Sequence, residues 1–480
     1  MTDYKKEKDM KKRHSLFLTL LSVALVFTSC LGDDEENYTY SSDMAITAFS
    51  LGTLNRYLHT TSSTGADSIY KKTYSGSLYS FHVDQENLLI YNTDSLPYGT
   101  DAKHVICNIT SRGSVVIKSM TSDSLNTYST TDSIDFSQPR EMRVYAPDGS
   151  GYRAYTVKIN VHQEDGDVFK WKNISTNSVF PTLDGMKAVA CKDYIYVAGN
   201  NGAQTKLYYT AISDGSNWTE YGTTFPADAY KNLLSHNGNI FLRAKTGDTY
   251  IVTTQEDGKP NTTVETGQDA ITALLASDGE HLYALNNNGE LVRSDTQEGY
   301  NCSWSTETLD NGNTFLPSQD ISYTLSALRT NNNAARLVLI GNRSVEEYAS
   351  DAAAQIWGKI IEYDNNTNST WMYYDGTSAA QQLPRLSGLT AFVYGDAIVA
   401  LGGKGIGACT TSPFYMFYAS YDGGISWAGD TRIPLPTGLS GVDTTFALTV
   451  DHDNFIWLIR GDNGQVWRGR LNKLGWETEK

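Results

Sequence analysis

The sequence predicts an all-β chain in which a small sandwich precedes a closed ring of sheets. Three observations predict it. First, aromatic residues make up 11% of the 480 residues, turn-forming Gly, Asn, Asp, Ser and Thr are abundant, and apolar residues at helical spacing are scarce. Aromatic and β-branched side chains suit strands, and the small polar residues suit turns. Second, six short segments each hold an unbroken apolar run of three or more residues, some with polar ends: Tyr194–Gly199, Asn239–Ala244, His281–Asn286, Arg336–Gly341, Ala397–Gly402 and Phe455–Arg460. Third, each follows a shorter apolar strand across a polar turn. Examples are Ala273–Ala276 before Ser277-Asp278-Gly279-Glu280, and Phe446–Val450 before Asp451-His452-Asp453-Asn454.

A strand with an unbroken apolar run is one buried on both faces. The segments recur at roughly 40 to 60 residues, the range of propeller blades, and a blade is stable only when neighbours cover both its faces. A third strand follows each segment, and then usually a tryptophan strand, marked by Trp218, Trp304, Trp371, Trp427 and Trp476; the second repeat lacks one. Residues 167–480 are therefore read as a β-propeller of six blades, or seven. Phe169-Lys170-Trp171 stands ahead of the first repeat, as an outer strand that either closes the ring or belongs to a degenerate seventh blade.

Residues 43–163 form the sandwich. Ala45–Phe49 opens it, Leu78–Asn92 holds two strand-like pieces, and His104–Ile109 and Ser114–Ile117 follow. Its clearest element is a hairpin: Met142–Tyr145, the turn Pro147-Asp148-Gly149-Ser150-Gly151, then Tyr155–Val161, whose alternation suits a half-buried strand. The stretch from Asp135 to Val157 resembles the closing half of Ig-like or cadherin-like modules, which implies a spacer.

Ser420-Tyr421-Asp422-Gly423-Gly424-Ile425-Ser426-Trp427 matches S-x-D-x-G-x-S-W and resembles the Asp-box of sialidase-like propellers. Ser420, Asp422, Gly424 and Trp427 are its structural residues, and Asp214–Trp218 looks like a shortened relative. In such turns the Asp bonds backbone, the Gly allows the bend and the Trp packs into the blade. Gly402-Gly403 is similar to the glycine pair of kelch blades. The whole layout resembles a family of bacterial surface lipoproteins that join a sandwich to a propeller.

The N-terminus bears on location. Lys11-Lys12-Arg13 precedes an apolar run, Leu16–Phe27, that is shorter than the roughly 20 residues a membrane span needs. With Thr28-Ser29-Cys30 it reads as a signal peptide over residues 1–29. The cysteine resembles that of a lipobox, which implies lipidation at Cys30 and an outer-membrane anchor. Residues 30–42 would be a tether, and its acidic Asp33-Asp34-Glu35-Glu36 resembles a surface-export signal. Net charge is −16, which argues against nucleic acid, whose phosphates demand Lys and Arg. Cys107, Cys191, Cys302 and Cys409 are widely spaced and read as small apolar strand residues rather than a disulfide or zinc framework. A monomer is expected.

No catalytic motif emerges. G-x-S-x-G and H-E-x-x-H are absent, and the glycine-rich run at Gly402–Gly407 is no P-loop, since neither Ser nor Thr follows Lys404. The region Phe169–Pro181 carries none of the arginine that sialidases place there. No metal or cofactor is expected: His236, His281 and His452 fall in equivalent but separate turns, and Asp364–Asn368 leads to Ser369 where a calcium loop needs glycine. Two loops between second and third strands are long, Gly341–Gly358 and Gly402–Pro413, and long loops on a rigid scaffold carry binding. Arg243, Arg343, Lys404 and Arg460 sit in or beside four such loops and are the candidate ligand-binding residues. The expectation is a non-catalytic binding protein, glycan first among ligands, with an envelope protein next; a divergent propeller hydrolase or lyase and a docking component of an outer-membrane assembly are the alternatives. If Cys30 is acylated, labelled palmitate should enter the wild-type chain in cells and should not enter Cys30→Ala.

Overall fold

The computed structural model describes residues 40–476, apart from 62–64, 267–269, 297, 299–301, 329, 364–368 and 376–377. The signal-peptide residues 1–29, Cys30, the acidic run Asp33–Glu36 and the Asp364–Asn368 run lie outside the described residues. The chain falls into two compact units, Met1–His162 and Gln163–Lys480.

The first unit is all-β. Its main sheet has six strands in the order Phe81–Asp84, Leu89–Asn92, Tyr152–Lys158, Arg140–Tyr145, Ser114–Lys118 and Leu125–Thr127. The foreseen hairpin is its centre, with Met142 opposite Tyr155 and Val144 opposite Arg153. Its turn is fixed by Asp148, whose carboxylate accepts the Ser150 amide at 2.9 Å, and by Gly149 at φ 74°. Ile46–Leu51 pairs with Cys107–Ser111 in a separate two-stranded sheet. Both sheets feed one core, which includes Ile46, Phe49, Leu51, Ile90, Met142, Val144 and Val157. Buried Tyr155 ties them: its hydroxyl donates to Gln85 at 2.6 Å and accepts from the Ile46 amide at 3.3 Å. A ribbon of Thr53–Thr61 with Asp67–Ser75 has no counterpart in the sequence reading. Its Tyr57, Ile69 and Tyr70 stay exposed, so it lacks the buried face that alternation reveals.

The second unit contains, among the described residues, six four-stranded antiparallel sheets. Their inner strands are Gly185–Cys191 (blade 1), Leu234–His236 (blade 2), Ile271–Ser277 (blade 3), Gln319–Leu328 (blade 4), Thr390–Tyr394 (blade 5) and Phe446–Val450 (blade 6). Each inner strand neighbours that of the next blade, and the last neighbours the first, so the sheets form a closed ring. Phe169–Thr176 completes it as the outer strand of blade 6, paired with Gln465–Leu471 from the other end of the unit. It is thus the ring closure and not part of a seventh sheet. Trp476 follows the short turn Asn472–Gly475 and lies in no strand. The tryptophan on the outer strand of blade 6 is Trp171, whose indole N–H donates to the Pro434 carbonyl at 2.6 Å.

The second strands explain the ring. Ile195 and Val197 pack with Trp457 and Ile459 of blade 6, whereas Tyr196 and Ala198 pack with Ile240 and Leu242 of blade 2. Phe241 turns instead to Leu282 and Ala284 of blade 3, and Tyr283 to Leu337 and Leu339 of blade 4. Val338 and Ile340 meet Ile398 and Ala400 of blade 5, while Val399 and Leu401 meet Ile456 and Leu458 of blade 6. Successive side chains of one strand point to opposite faces, so each second strand supplies two cores at once.

Two polar devices reinforce the ring. Between blades 3 and 4, fully buried Glu307 pairs with Lys359, accepts the Trp371 indole N–H at 2.9 Å, and lies 3.6 Å from Arg293. Burial holds the Lys359 ammonium below its ordinary range, although Glu307 opposes this. In blade 5, the Asp422 carboxylate accepts from the Ser420 hydroxyl at 2.7 Å and from the amides of Ile425 and Ser426 at 3.1 and 2.9 Å. The Trp427 indole donates to the Gly424 carbonyl at 3.0 Å. Asp214 and Trp218 repeat the pattern in blade 1, where the indole donates to Gly215 at 3.1 Å.

The cysteines depart from expectation in part. Cys107 and Cys191 are buried at strand ends, but Cys302 and Cys409 lie in loops within blades 3 and 5 and are half-buried.

Two outcomes follow for stability. Glu307→Ala should cost about 3–5 kcal/mol in denaturant unfolding, because it leaves a buried ammonium unpaired, and Glu307→Leu with Lys359→Met should recover much of it. Asp422→Ala should cost about 1 kcal/mol, the turn being exposed to solvent. Partial burial pushes the Asp422 carboxyl up, but hydrogen bonds from Ser426 and Ser420 override it and leave the group below its ordinary 3.8. A depressed carboxyl stabilises the fold above that ordinary value and loses the contribution as pH falls below it. The difference between wild type and Asp422→Ala should therefore shrink when unfolding is repeated below pH 3.8.

Candidate functional site

In an antiparallel blade, the loops from second to third strands and the connectors from outer strand to next inner strand open on the same end of the ring. The two long loops occupy 343–354 in blade 4 and 402–416 in blade 5. They meet there. The Ala408 amide donates to the Asp351 carbonyl at 3.1 Å. Gly407 stands at φ +63°, and a Cβ on it would fall 2.8 Å from that same carbonyl, so glycine is required at this approach.

The hub is Arg385, on the connector into blade 5. It is fully buried, yet its guanidinium donates to the carbonyls of Tyr348, at 2.6 Å, and Arg343. A buried guanidinium is tolerated when carbonyls take its protons. Arg385 thereby fixes the blade-4 loop from beneath.

Beside this hub lies a cavity of about 280 Å³ between blades 4 and 5. Phe315, Tyr373, Tyr374 and Trp427 give it aromatic walls, with Phe315 and Tyr373 stacked at 4.7 Å. Arg343 and Asp351 give it a charged edge, joined by two hydrogen bonds of 2.9 and 2.7 Å. The guanidinium also lies 3.8 Å above the Tyr348 ring. Its hydrogen bonds to Asp351 hold it firmly protonated. Gln355 accepts the Tyr373 hydroxyl at 2.8 Å, and burial raises the Tyr373 phenol above its usual range. The cavity therefore offers flat aromatic surface next to fixed donors and acceptors, an arrangement suited to a polar ring-shaped ligand.

Of the four cations singled out in the sequence, only Arg343 lines this cavity. Arg243 is 2% exposed and donates to Thr249 at 3.2 Å and to the Ile271 carbonyl of blade 3. Arg460 is 3% exposed, paired with Asp462 at 2.6 Å and donating to Gly438 at 3.0 Å. Lys404 pairs with Asp443 at 2.6 Å, with both side chains half-exposed. Each spends its charge on its own blade or the next. The physical reason is local: a cation at a strand end finds a carbonyl or carboxylate a few residues away before it finds the ring axis. The three histidines are also dispersed. His236 is buried against the Ser277 hydroxyl at 2.8 Å, and His452 lies 3.1 Å from Asp193. Among the described residues no cluster of three or more His, Cys, Asp or Glu is arranged to hold a metal.

Sequence reasoning missed Arg385, Phe315 and Tyr373. Phe315 and Arg385 sit on connectors between blades, which the sequence reading passed over in favour of loops within blades. The signal was present as the aromatic residue of Asn313-Thr314-Phe315, ahead of the blade-4 inner strand.

The model of the DUF6242 beta propeller domain matches residues 165–479. This chain belongs to the DUF6242 family. The family's N-terminal domain, a domain of unknown function, matches residues 49–159. No curated protein matches the chain. Among solved structures, an auxiliary nutrient binding protein from Bacteroides ovatus is 9% identical with a TM-score of 0.42, covering 77% of this chain and 94% of its own. A Hadza microbial sialidase is 8% identical at 0.36, covering 90% and 94%. A Trichoderma reesei carbohydrate-active enzyme of family AA12 is 10% identical at 0.40, covering 64% and 96%.

Proposed function

We propose that this DUF6242 protein is a non-catalytic binding protein of the bacterial cell surface, anchored through lipidated Cys30, with the propeller as its binding head and a glycan as its ligand. The observation that carries the reading is the cavity between blades 4 and 5. Aromatic faces stack on the apolar faces of sugar rings, and the Arg343–Asp351 pair with Gln355 supplies directional partners for hydroxyls. The first unit, Ig-like by the sequence resemblance, serves as spacer. The acidic run after Cys30 supports export to the outer face of the outer membrane. Arg343 is the one of the four cations given a direct ligand role; Arg243, Lys404 and Arg460 are engaged by their own blade or the next.

The soluble chain 31–480 should bind oligosaccharides on an array of plant, host and microbial glycans. Phe315→Ala should weaken the best of them at least about tenfold, some 1.4 kcal/mol, with unfolding of the propeller little changed. Silence across the array removes the glycan reading. Turnover of fluorogenic glycosides by the same chain removes the non-catalytic one.

A further inference from the structure

The ring axis holds a second cavity, of about 290 Å³, walled by the inner strands of blades 1, 2, 4, 5 and 6. Its chemistry differs from that of the blade 4–5 cavity. Most of the wall is aliphatic side chain and strand backbone, and each inner strand has only one strand neighbour, so its other edge is unpaired toward the axis. Lys187, from blade 1, reaches across the axis: its ammonium donates at 2.9 Å to the carbonyl of Ile321 in blade 4 and more loosely, at 3.3 Å, to that of Lys231. Among the described residues, Lys187 is the only ammonium lining this cavity. An ammonium carries three donors, so one remains beyond these two carbonyls. A layer further on, the Tyr323 hydroxyl donates to the Ser235 carbonyl of blade 2 at 3.2 Å. Thr324, which also lines the cavity, is 3% exposed, and its hydroxyl has no hydrogen-bond partner among the described residues. A buried hydroxyl left without a partner is costly, and it stands in the same cavity as an ammonium with a donor to spare.

We infer that the axial cavity is a binding site for a small oxyanion, a phosphate or a short carboxylate, held by Lys187 and Thr324. The site is separate from the glycan cavity and independent of that reading. Walls of strand backbone and aliphatic side chain around one ammonium and one unpartnered hydroxyl suit an ion or a small acid. The titratable groups around Lys187 are Asp320, on the inner strand of blade 4, and Lys231 and Tyr230, on the connector into blade 2. Asp320 is already engaged, accepting from Asn342 and the Gly388 amide at 2.9 Å each. Burial holds the Lys187 ammonium down to about 8, with Asp320 opposing. An anion that binds the charged form is therefore favoured below that pH and released above it.

Calorimetric titration of the chain 31–480 with inorganic phosphate and with acetate tests this, with the two arms separating the sources of the oxyanion. One of them should bind at one site per chain, and its affinity should fall about tenfold between pH 7 and pH 9. Lys187→Met should abolish binding. Should that variant fail to fold, Thr324→Val decides: it keeps the shape, and it should weaken binding about fivefold or more. No binding by the folded wild-type chain would overturn the proposal and leave a cavity that holds water only. Binding that Thr324→Val leaves unchanged, or that does not weaken toward pH 9, would equally overturn it.

Discussion

The structure of the second unit depends on one constraint: its second strands are apolar on both faces, and each face must be covered by a different neighbour. Tyr194–Asn200 shows this in five consecutive buried residues, Ile195 to Gly199, whose alternate side chains enter the cores shared with blades 6 and 2. A row of such sheets with two ends would leave an apolar face bare at each end. Closing the row removes both ends. The pairing of Phe169–Thr176 with Gln465–Leu471 joins the two termini of the unit in one sheet, so the closure is also the point where chain order and spatial order part.

Polar groups in the ring obey the same confinement. Once both faces of every sheet are covered, a charge near a junction has to find its partner across it. Glu307 and Lys359 do so between blades 3 and 4, as does the Arg336 guanidinium, which donates to the Asp422 carbonyl of blade 5 at 2.9 Å. Arg385 does so beneath the long loops. The loops can then be irregular, because their backbones rest on a fixed guanidinium rather than on a strand partner.

Much of this was legible in the sequence. All six apolar segments are second strands, and the hairpin centred on Asp148 and Gly149 is where its turn residues put it. Continuous apolarity and turn chemistry are local properties, and each was readable within a window of a few residues. The role of Phe169-Lys170-Trp171 was readable only as two alternatives, because its partner lies some three hundred residues away. Trp476 was misplaced for the same reason: a tryptophan after the last third strand looks like an outer strand until the true one is seen to arrive from the N-terminal side. At the cavity between blades 4 and 5, the two long loops were legible by length, and their meeting followed from the order of the repeats. The four basic residues were harder. A sequence shows that a cation sits at a loop, but not that Asp462 or the Ile271 carbonyl is within its reach. Lys187 and Thr324 gave no signal, since along an inner strand they read as ordinary alternation.

The most direct measurement is residue-resolved hydrogen exchange of the chain 31–480 under native conditions. A ring closed by its first strand requires the amides of Phe169–Thr176 that donate to Gln465–Leu471 to be as protected as those of the strand Tyr194–Asn200, and to lose protection together with them as denaturant is raised. Rapid exchange throughout Phe169–Thr176 beside a protected Tyr194–Asn200 would contradict it, and would mean that the sheets stand in an open row.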